Sequence, residues 1–349
     1  MEKTIKPLKA PFPYFGGKSK AVPLVWSLFG EVKNYVEPFC GTAAMLLGAP
    51  QKTPIETVND ADGFVANFWR AIREDPEGVA HWADYPVIEI DLTARHGWLV
   101  NRAERLKWSL EDPEFYDAKI AGWWVWGACN WIGGEWCASK GPWKSDGASI
   151  YKIAPTEGMK RILPHLGDAG KGINRKLPHL GDAGKGITRA QFILDWFVAL
   201  SERLRDTRVA CGDWQRVLSP SVTDRHGLTA VFLDPPYSKG SMDYAAGGVG
   251  TDLPLQVQAW CAENGTNPLL RIVVCGHGGE HSALESLGWT AHAWLAQRGY
   301  ARSAEAVANR KSETVWASPA CVNISLPRKV DLLDAYEMTA QFDVLSEAA

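Results

Sequence analysis

Short apolar runs alternate along the chain with stripes of helical period. Ala230-Val231-Phe232-Leu233 is a run of the kind that forms a strand buried on both faces, and it leads straight into Asp234-Pro235-Pro236-Tyr237. Leu269 to Cys275 is a second such run, ending at Gly276. Asn34 to Ala49 reads as a short strand, a glycine-containing turn and the start of a helix of small residues. Thr57 to Ile72 repeats the scheme: a strand end at Val58, a polar turn Asn59-Asp60-Ala61-Asp62, then a helix whose Phe64, Val65, Phe68, Trp69 and Ile72 share one face. Strands alternating with helices predict a doubly wound α/β sheet. In such sheets ligands sit beyond the carboxyl ends of the strands, so the turns there are where chemistry is to be sought.

From about Gly78 to Ile193 this rhythm breaks. The stretch holds most of the seventeen tryptophans and a Gly/Trp-rich run from Gly122 to Trp143. It also contains a tandem duplication, LPHLGDAGKGI at 163–173 and again at 177–187. Two units are too few for a solenoid, and the Gly-Asp-Ala-Gly-Lys-Gly core favours turns. The pattern predicts one inserted, largely helical module, residues 79–193, on an α/β domain built from 1–78 and 194–349.

Composition narrows the classes. Hydrophobic residues make up 46% and charged residues 22%, ordinary for a globular protein. No run of eighteen apolar residues suggests a membrane span, and the N-terminus lacks the apolar core of a signal peptide. The seven cysteines are scattered without zinc-site spacing, which fits reduced thiols in a cytoplasm. Net charge is -3, so the protein as a whole is not a basic nucleic-acid binder. Between Ser139 and Ala190, however, ten lysines and arginines stand against four acids. That excess makes either a phosphate-contacting surface or a solvated loop. The first strand is followed by Cys40-Gly41-Thr42-Ala43, without the G-x-G-x-x-G of a dinucleotide site, which argues against a dehydrogenase.

The sharpest chemical signal is Asp234-Pro235-Pro236-Tyr237. An aromatic amino group is a poor nucleophile because its lone pair is delocalised into the ring. A carboxylate and a rigidly held carbonyl can accept both of its hydrogens and draw that lone pair out of conjugation. Two prolines fix the turn and remove competing donors. Asp234, the Pro235 carbonyl, the rigid Pro236 and a stacking Tyr237 thus form a candidate clamp for such a group.

The chain here resembles the Dam-type family of DNA adenine methyltransferases, whose catalytic motif is DPPY. Further motifs stand in that family's order: Pro13-Tyr14-Phe15-Gly16-Gly17-Lys18, Glu37-Pro38-Phe39-Cys40-Gly41-Thr42, Asn59-Asp60-Ala61-Asp62, Cys211-Gly212-Asp213-Trp214, and a closing hairpin Arg310-Lys311-Ser312-Glu313-Thr314-Val315-Trp316. The resemblance implies a Rossmann-like, S-adenosyl-L-methionine-dependent methyltransferase acting on N6 of a flipped-out adenine in double-stranded DNA. Methylation of the cytosine amino group and a catalytically silent DNA-binding homologue are the alternatives. It implies cofactor-binding roles for Tyr14, Gly17, Lys18, Glu37, Phe39, Gly41, Asp60, Asp213 and Trp214. Lys18 would pair with the methionine carboxylate and Tyr14 line the same pocket. Phe39 would pack under the cofactor, and Asp60, ahead of Asp62, would accept the ribose hydroxyls. Asp213 would accept from the cofactor's adenine amino group, with Trp214 against that ring. The family's second glycine in its first motif is here Ala43. The inserted module stands where the family keeps its target-recognition domain. There Asn130 is a candidate base contact or a helix-ending residue, and Lys171, Arg175, Lys185 and Arg189 are candidate phosphate contacts. Neither a metal nor an obligatory protein partner is expected.

Overall fold

The structure, a computed structural model, describes residues 8–12, 18–86, 88–131, 136–137, 143–145, 150–152, 189–236, 252–294 and 313–323. Seven strands form one sheet. β1 (Asn34–Glu37), β2 (Ile55–Asp60), β5 (Thr207–Cys211), β6 (Thr229–Leu233) and β7 (Leu270–His277) are parallel, and β8 (Thr290–Ala293) pairs with β9 (Glu313–Ala317), which runs antiparallel to β7. Their spatial order is β5-β2-β1-β6-β7-β9-β8. From the neighbours β1 and β6 the chain winds outward in opposite directions. The carboxyl ends of these two strands therefore flank the crevice in which a doubly wound sheet takes its ligand. A separate short ribbon joins β3 (Trp143–Ser145) and β4 (Ile150–Lys152).

Alternation along the strands sorts the core into two layers. Tyr35, Phe232, Val273, Cys275 and Val315 face one side, while Val36, Val231, Leu233, Ile272, Val274 and Trp316 face the other. Burial on both faces explains why β6 reads as a continuous apolar run. On the first side lie α1 (Val22–Phe29), α3 (Gly63–Glu74), α4 (Pro76–Ala83), α7 (Ala118–Asn130) and α8 (Arg189–Leu204); on the second, α9 (Leu253–Asn264). The short α2 (Ala44–Leu47) follows β1, and α5 (Glu89–Val100) and α6 (Ala103–Ser109) connect α4 to α7.

The first part of the Gly/Trp-rich run, Gly122 to Asn130, lies in α7. Glycine is a weak helix former, but here it makes room: a Cβ on Gly122 would lie 2.4 Å from Trp82 and one on Gly127 only 1.7 Å from Trp136. Tryptophans from α4 and from the chain after α7 thus lie directly on the helix backbone. The predicted module ends, 78/79 and 193/194, fall inside α4 and α8, and Val79, Val125 and Phe197 belong to the same core cluster as the sheet residues Tyr35 and Phe232. The duplicated segment lies outside the described residues.

α8 is fastened to β2 by a buried ion pair. Arg203 Nη1 donates to Glu56 Oε2 at 2.6 Å and Nη2 to Oε1 at 2.8 Å, and Nη2 also reaches the Leu46 carbonyl at 2.9 Å. The Thr207 hydroxyl and the Thr53 N–H donate to the same carboxylate. Every oxygen of Glu56 is satisfied twice, the condition under which a buried pair holds a structure together.

Candidate active site

Three turns meet at the carboxyl edge. After β1 the chain enters Pro38-Phe39-Cys40-Gly41, after β2 Ala61-Asp62, and after β5 Gly212-Asp213. One side chain stitches them: Asn59 Nδ2 donates to the carbonyls of Pro38 and Gly212, both at 3.0 Å. The Cys40 N–H returns to the Asn59 carbonyl at 2.9 Å and the Gly212 N–H to that of Asp60 at 3.0 Å. Trp69, on the buried face of α3, donates its indole N–H to the Gly41 carbonyl. Gly41 and Ala43 both take positive φ, 44° and 51°. The glycine expected at the Ala43 position is thus a matter of backbone conformation, which alanine adopts at a cost, and not of size alone.

Asp60 ends β2 with both carboxylate oxygens engaged, Oδ2 by the Gly41 N–H and Oδ1 by the Asp62 N–H, each at 2.9 Å. A carboxylate oxygen accepts twice, so each retains a lone pair for hydroxyl donors. Burial, then the nearby Asp62, push the Asp60 carboxyl up to about 7. Asp62 caps α3 by accepting the Phe64 N–H. Asp213, exposed, caps the short turn 214–217 through the Gln215 N–H. Trp214 is buried, and half-buried Phe39 stacks on it with centroids 5.8 Å apart at 28°. The ring this pair offers outward is therefore Phe39, not Trp214 as expected. Glu37, expected to touch a cofactor, is enclosed, accepts the Tyr35 hydroxyl at 2.9 Å, and is pushed up to about 8 by burial. It is a neutral group beneath the edge.

Asp234 follows β6 with its side chain 21% exposed; Pro235 is buried and Pro236 half-buried. The Lys18 ammonium, expected at a methionine carboxylate, lies instead 3.0 Å from Asp234 Oδ1 and 3.7 Å from Glu313 Oε2. Lys18 is 4% exposed. Burial works against its charge, but Asp234, Cys275 and Glu313 together outweigh burial and hold its pKa above the usual ammonium range. Glu37, Asp234, Cys275 and Glu313 form a row on one face, each two residues beyond a side chain of the first core layer or within it. In the next position on that face His277 pairs in register with Glu313, and its N–H donates to Glu280 Oε2 at 3.0 Å. Burial lowers the His277 pKa, and Lys18 adds to the lowering while Glu280 opposes it.

Asn59, Trp69, His277 and the pairing role of Glu313 were not singled out by the sequence. Asn59 stood inside a recognised motif, and Trp69 was visible only as an apolar helix position. Of the expected residues, Tyr14, Gly17, Tyr237, Lys171, Arg175 and Lys185 lie outside the described residues, as does the side chain of Arg189. Asn130 ends α7, wholly buried, its amide donating to the Trp126 carbonyl at 2.5 Å. This is the helix-ending alternative, with the side chain turned into the protein. Among the described residues no cluster of His, Cys, Asp or Glu could hold a metal ion, and no helix is long and apolar enough to cross a membrane.

No curated protein matches the chain. Residues 14–119, from the glycine-rich N-terminal motif through the start of α7, match the family described as D12 class N6 adenine-specific DNA methyltransferase. Asp234, Pro235 and Pro236 lie beyond that match, and the sheet brings them next to the matched β1 turn. Over residues 14–119 the chain is thus similar to the D12 class N6 adenine-specific DNA methyltransferases.

Proposed function

We propose that the methyl donor is S-adenosyl-L-methionine and the acceptor the N6 amino group of an adenine turned out of double-stranded DNA. The observation that carries this reading is the position of Asp234, at the end of β6 across the crevice from the β1 turn. The residues present fit the donor. The positive-φ Gly41 turn admits close backbone approach, Asp60 keeps acceptor capacity for ribose hydroxyls, Phe39 offers a ring face, and Asp213 is exposed for an amino donor. When bound, the donor supplies a methyl group already activated on a sulfonium, so no metal is required.

The protein's part is orientation. Asp234 and the Pro235 carbonyl accept the two amino hydrogens, which localises the nitrogen lone pair and aims it across the crevice. Tyr237 stacks on the extruded base. The nitrogen proton leaves after transfer. Residues 79–193 form the target-recognition part, with Lys171, Arg175, Lys185 and Arg189 on phosphates.

Incubating unmethylated DNA with labelled donor and analysing the nucleosides tests this. Wild type should yield N6-methyl-2′-deoxyadenosine. Asp234→Ala should lose about a hundred- to a thousandfold in rate while still binding the donor. Methylcytosine would overturn the assignment of the acceptor, and an active Asp234→Ala would overturn the clamp.

A further inference from the structure

Trp69 has no part in the proposed reaction, yet it ties the β1 turn to the body of the protein. It sits on α3, wholly buried, and its indole N–H donates to the Gly41 carbonyl at 2.9 Å. On the other side of the same α-carbon the Gly41 N–H donates to Asp60 Oδ2, also at 2.9 Å. Gly41 is therefore held at both of its peptide groups, by a tryptophan behind it and a carboxylate beside it. The Trp69 ring also lies against Phe12, with centroids 6.1 Å apart. Phe12 directly precedes the Pro13-to-Lys18 motif in the chain.

The turn needs such holding. Gly41 and Ala43 have φ of 44° and 51°. A glycine reaches that conformation freely but reaches many others as freely, and an alanine is strained in it. Backbone in this state persists where its surroundings over-determine it. Here the Cys40 N–H is tied to the Asn59 carbonyl at 2.9 Å and the Ala43 N–H to the Cys40 carbonyl at 2.6 Å, so both ends of the turn are fixed. Between them the Gly41 carbonyl is enclosed and is met by Trp69. Without that donor the carbonyl is an unmet buried acceptor, which the turn relieves by rotating it toward water. Because the ends stay tied, that rotation carries the Gly41 N–H away from Asp60.

We propose that Trp69 is a positioning residue for the methyl donor, holding the Gly41 peptide so that Gly41 in turn aims the Asp60 carboxylate at the ribose hydroxyls. The path runs from the Trp69 N–H to the Gly41 carbonyl, from the Gly41 N–H to Asp60 Oδ2, and from the remaining lone pairs of Asp60 to the ligand. The other oxygen of Asp60 is held by the Asp62 N–H at 2.9 Å, so a turn of the carboxylate misdirects both acceptors at once. Trp69 itself is 0% exposed and touches no ligand. Its role is in affinity for the nucleoside end of the donor, not in methyl transfer.

The inference rests on the reading of Asp60 as the ribose acceptor, and the experiment separates the two. Binding of S-adenosylhomocysteine and of its 2′,3′-dideoxy analogue is measured by calorimetry for wild type, Trp69→Phe, Asp60→Ala and the double variant Trp69→Phe/Asp60→Ala. Each protein is checked for folding by its thermal midpoint. Trp69→Phe should weaken S-adenosylhomocysteine about tenfold and the dideoxy analogue, which has no hydroxyl to give Asp60, at most about twofold. In the Asp60→Ala background Trp69→Phe should have little further effect on either ligand. A merely structural tryptophan would weaken both ligands alike. That result, or wild-type affinity in Trp69→Phe, would overturn the proposal while a loss of hydroxyl preference in Asp60→Ala left the ribose reading standing. An Asp60→Ala protein that prefers the hydroxylated ligand as strongly as wild type would bring down the ribose reading, and the proposal with it. Should Trp69→Phe not fold, 3-benzothienylalanine at position 69 takes its place, since it keeps the bicyclic ring and lacks only the N–H.

Discussion

Two buried cations in this protein stand in contrasting company. Arg203 has one carboxylate, Glu56, whose oxygens are each met by two donors, and the whole group is sealed between α8 and β2. Lys18 has two carboxylates among the described residues, one near and one farther, at the carboxyl edge of the sheet. The first arrangement has a single best geometry and resists change. The second divides one cation between a short contact and a long one. Two cations of similar burial thus hold their carboxylates in different geometry.

The contrast can be broken or sharpened by substitution. The largest effect on stability is expected at the sealed pair: Arg203→Ala should destabilise by about 3–5 kcal/mol, since it strands Glu56 in the core. Urea unfolding checks this, and methylation per folded molecule at low temperature should stay near wild type. A stability change under 1 kcal/mol would erase the distinction drawn between the two cations.

A smaller, pH-dependent gain is expected at Glu37, beneath the reactive edge. Its carboxyl is pushed up to about 8 by burial, whereas in the unfolded chain it loses its proton near 4.5. Between those values the folded state holds a proton that the unfolded state has released, so this group lowers stability as pH rises through the window. Glu37→Gln should remove that slope and be more stable than wild type at pH 8 but not at pH 4.5. Unfolding midpoints of both proteins across that range decide it, and parallel curves would refute it.

The smallest change is expected at Ala43. Its φ of 51° costs an L residue about 1–2 kcal/mol, offset in part by the greater freedom glycine has when unfolded. Ala43→Gly should stabilise by about 1 kcal/mol or less, read as a small rise in thermal midpoint. A fall would mean that the alanine methyl packs better than its backbone suggests.

Local signals made the turns at the carboxyl edge legible in the sequence. The β6 run and its Asp-Pro-Pro-Tyr turn declare themselves within eight residues, as does the glycine turn after β1. What stayed hidden depends on contacts distant in sequence. Glu56 and Arg203 are 147 positions apart, and Glu313 meets Lys18 only once β9 has paired with β7. Beyond Gly78 the sequence reads only as a largely helical insertion, and the core that its helices share with the sheet depends on contacts distant in sequence. Asn130 showed the converse hazard, a motif-like polar residue that a helix end had already claimed.

The Asn59 amide has a consequence for affinity. With Pro38 and Gly212 pinned to one side chain, the loops that would close around a ligand are already restrained relative to each other before it arrives. Association then loses little loop entropy, and tight binding can come from few direct contacts. On this side of the sheet the mould is set before it is filled.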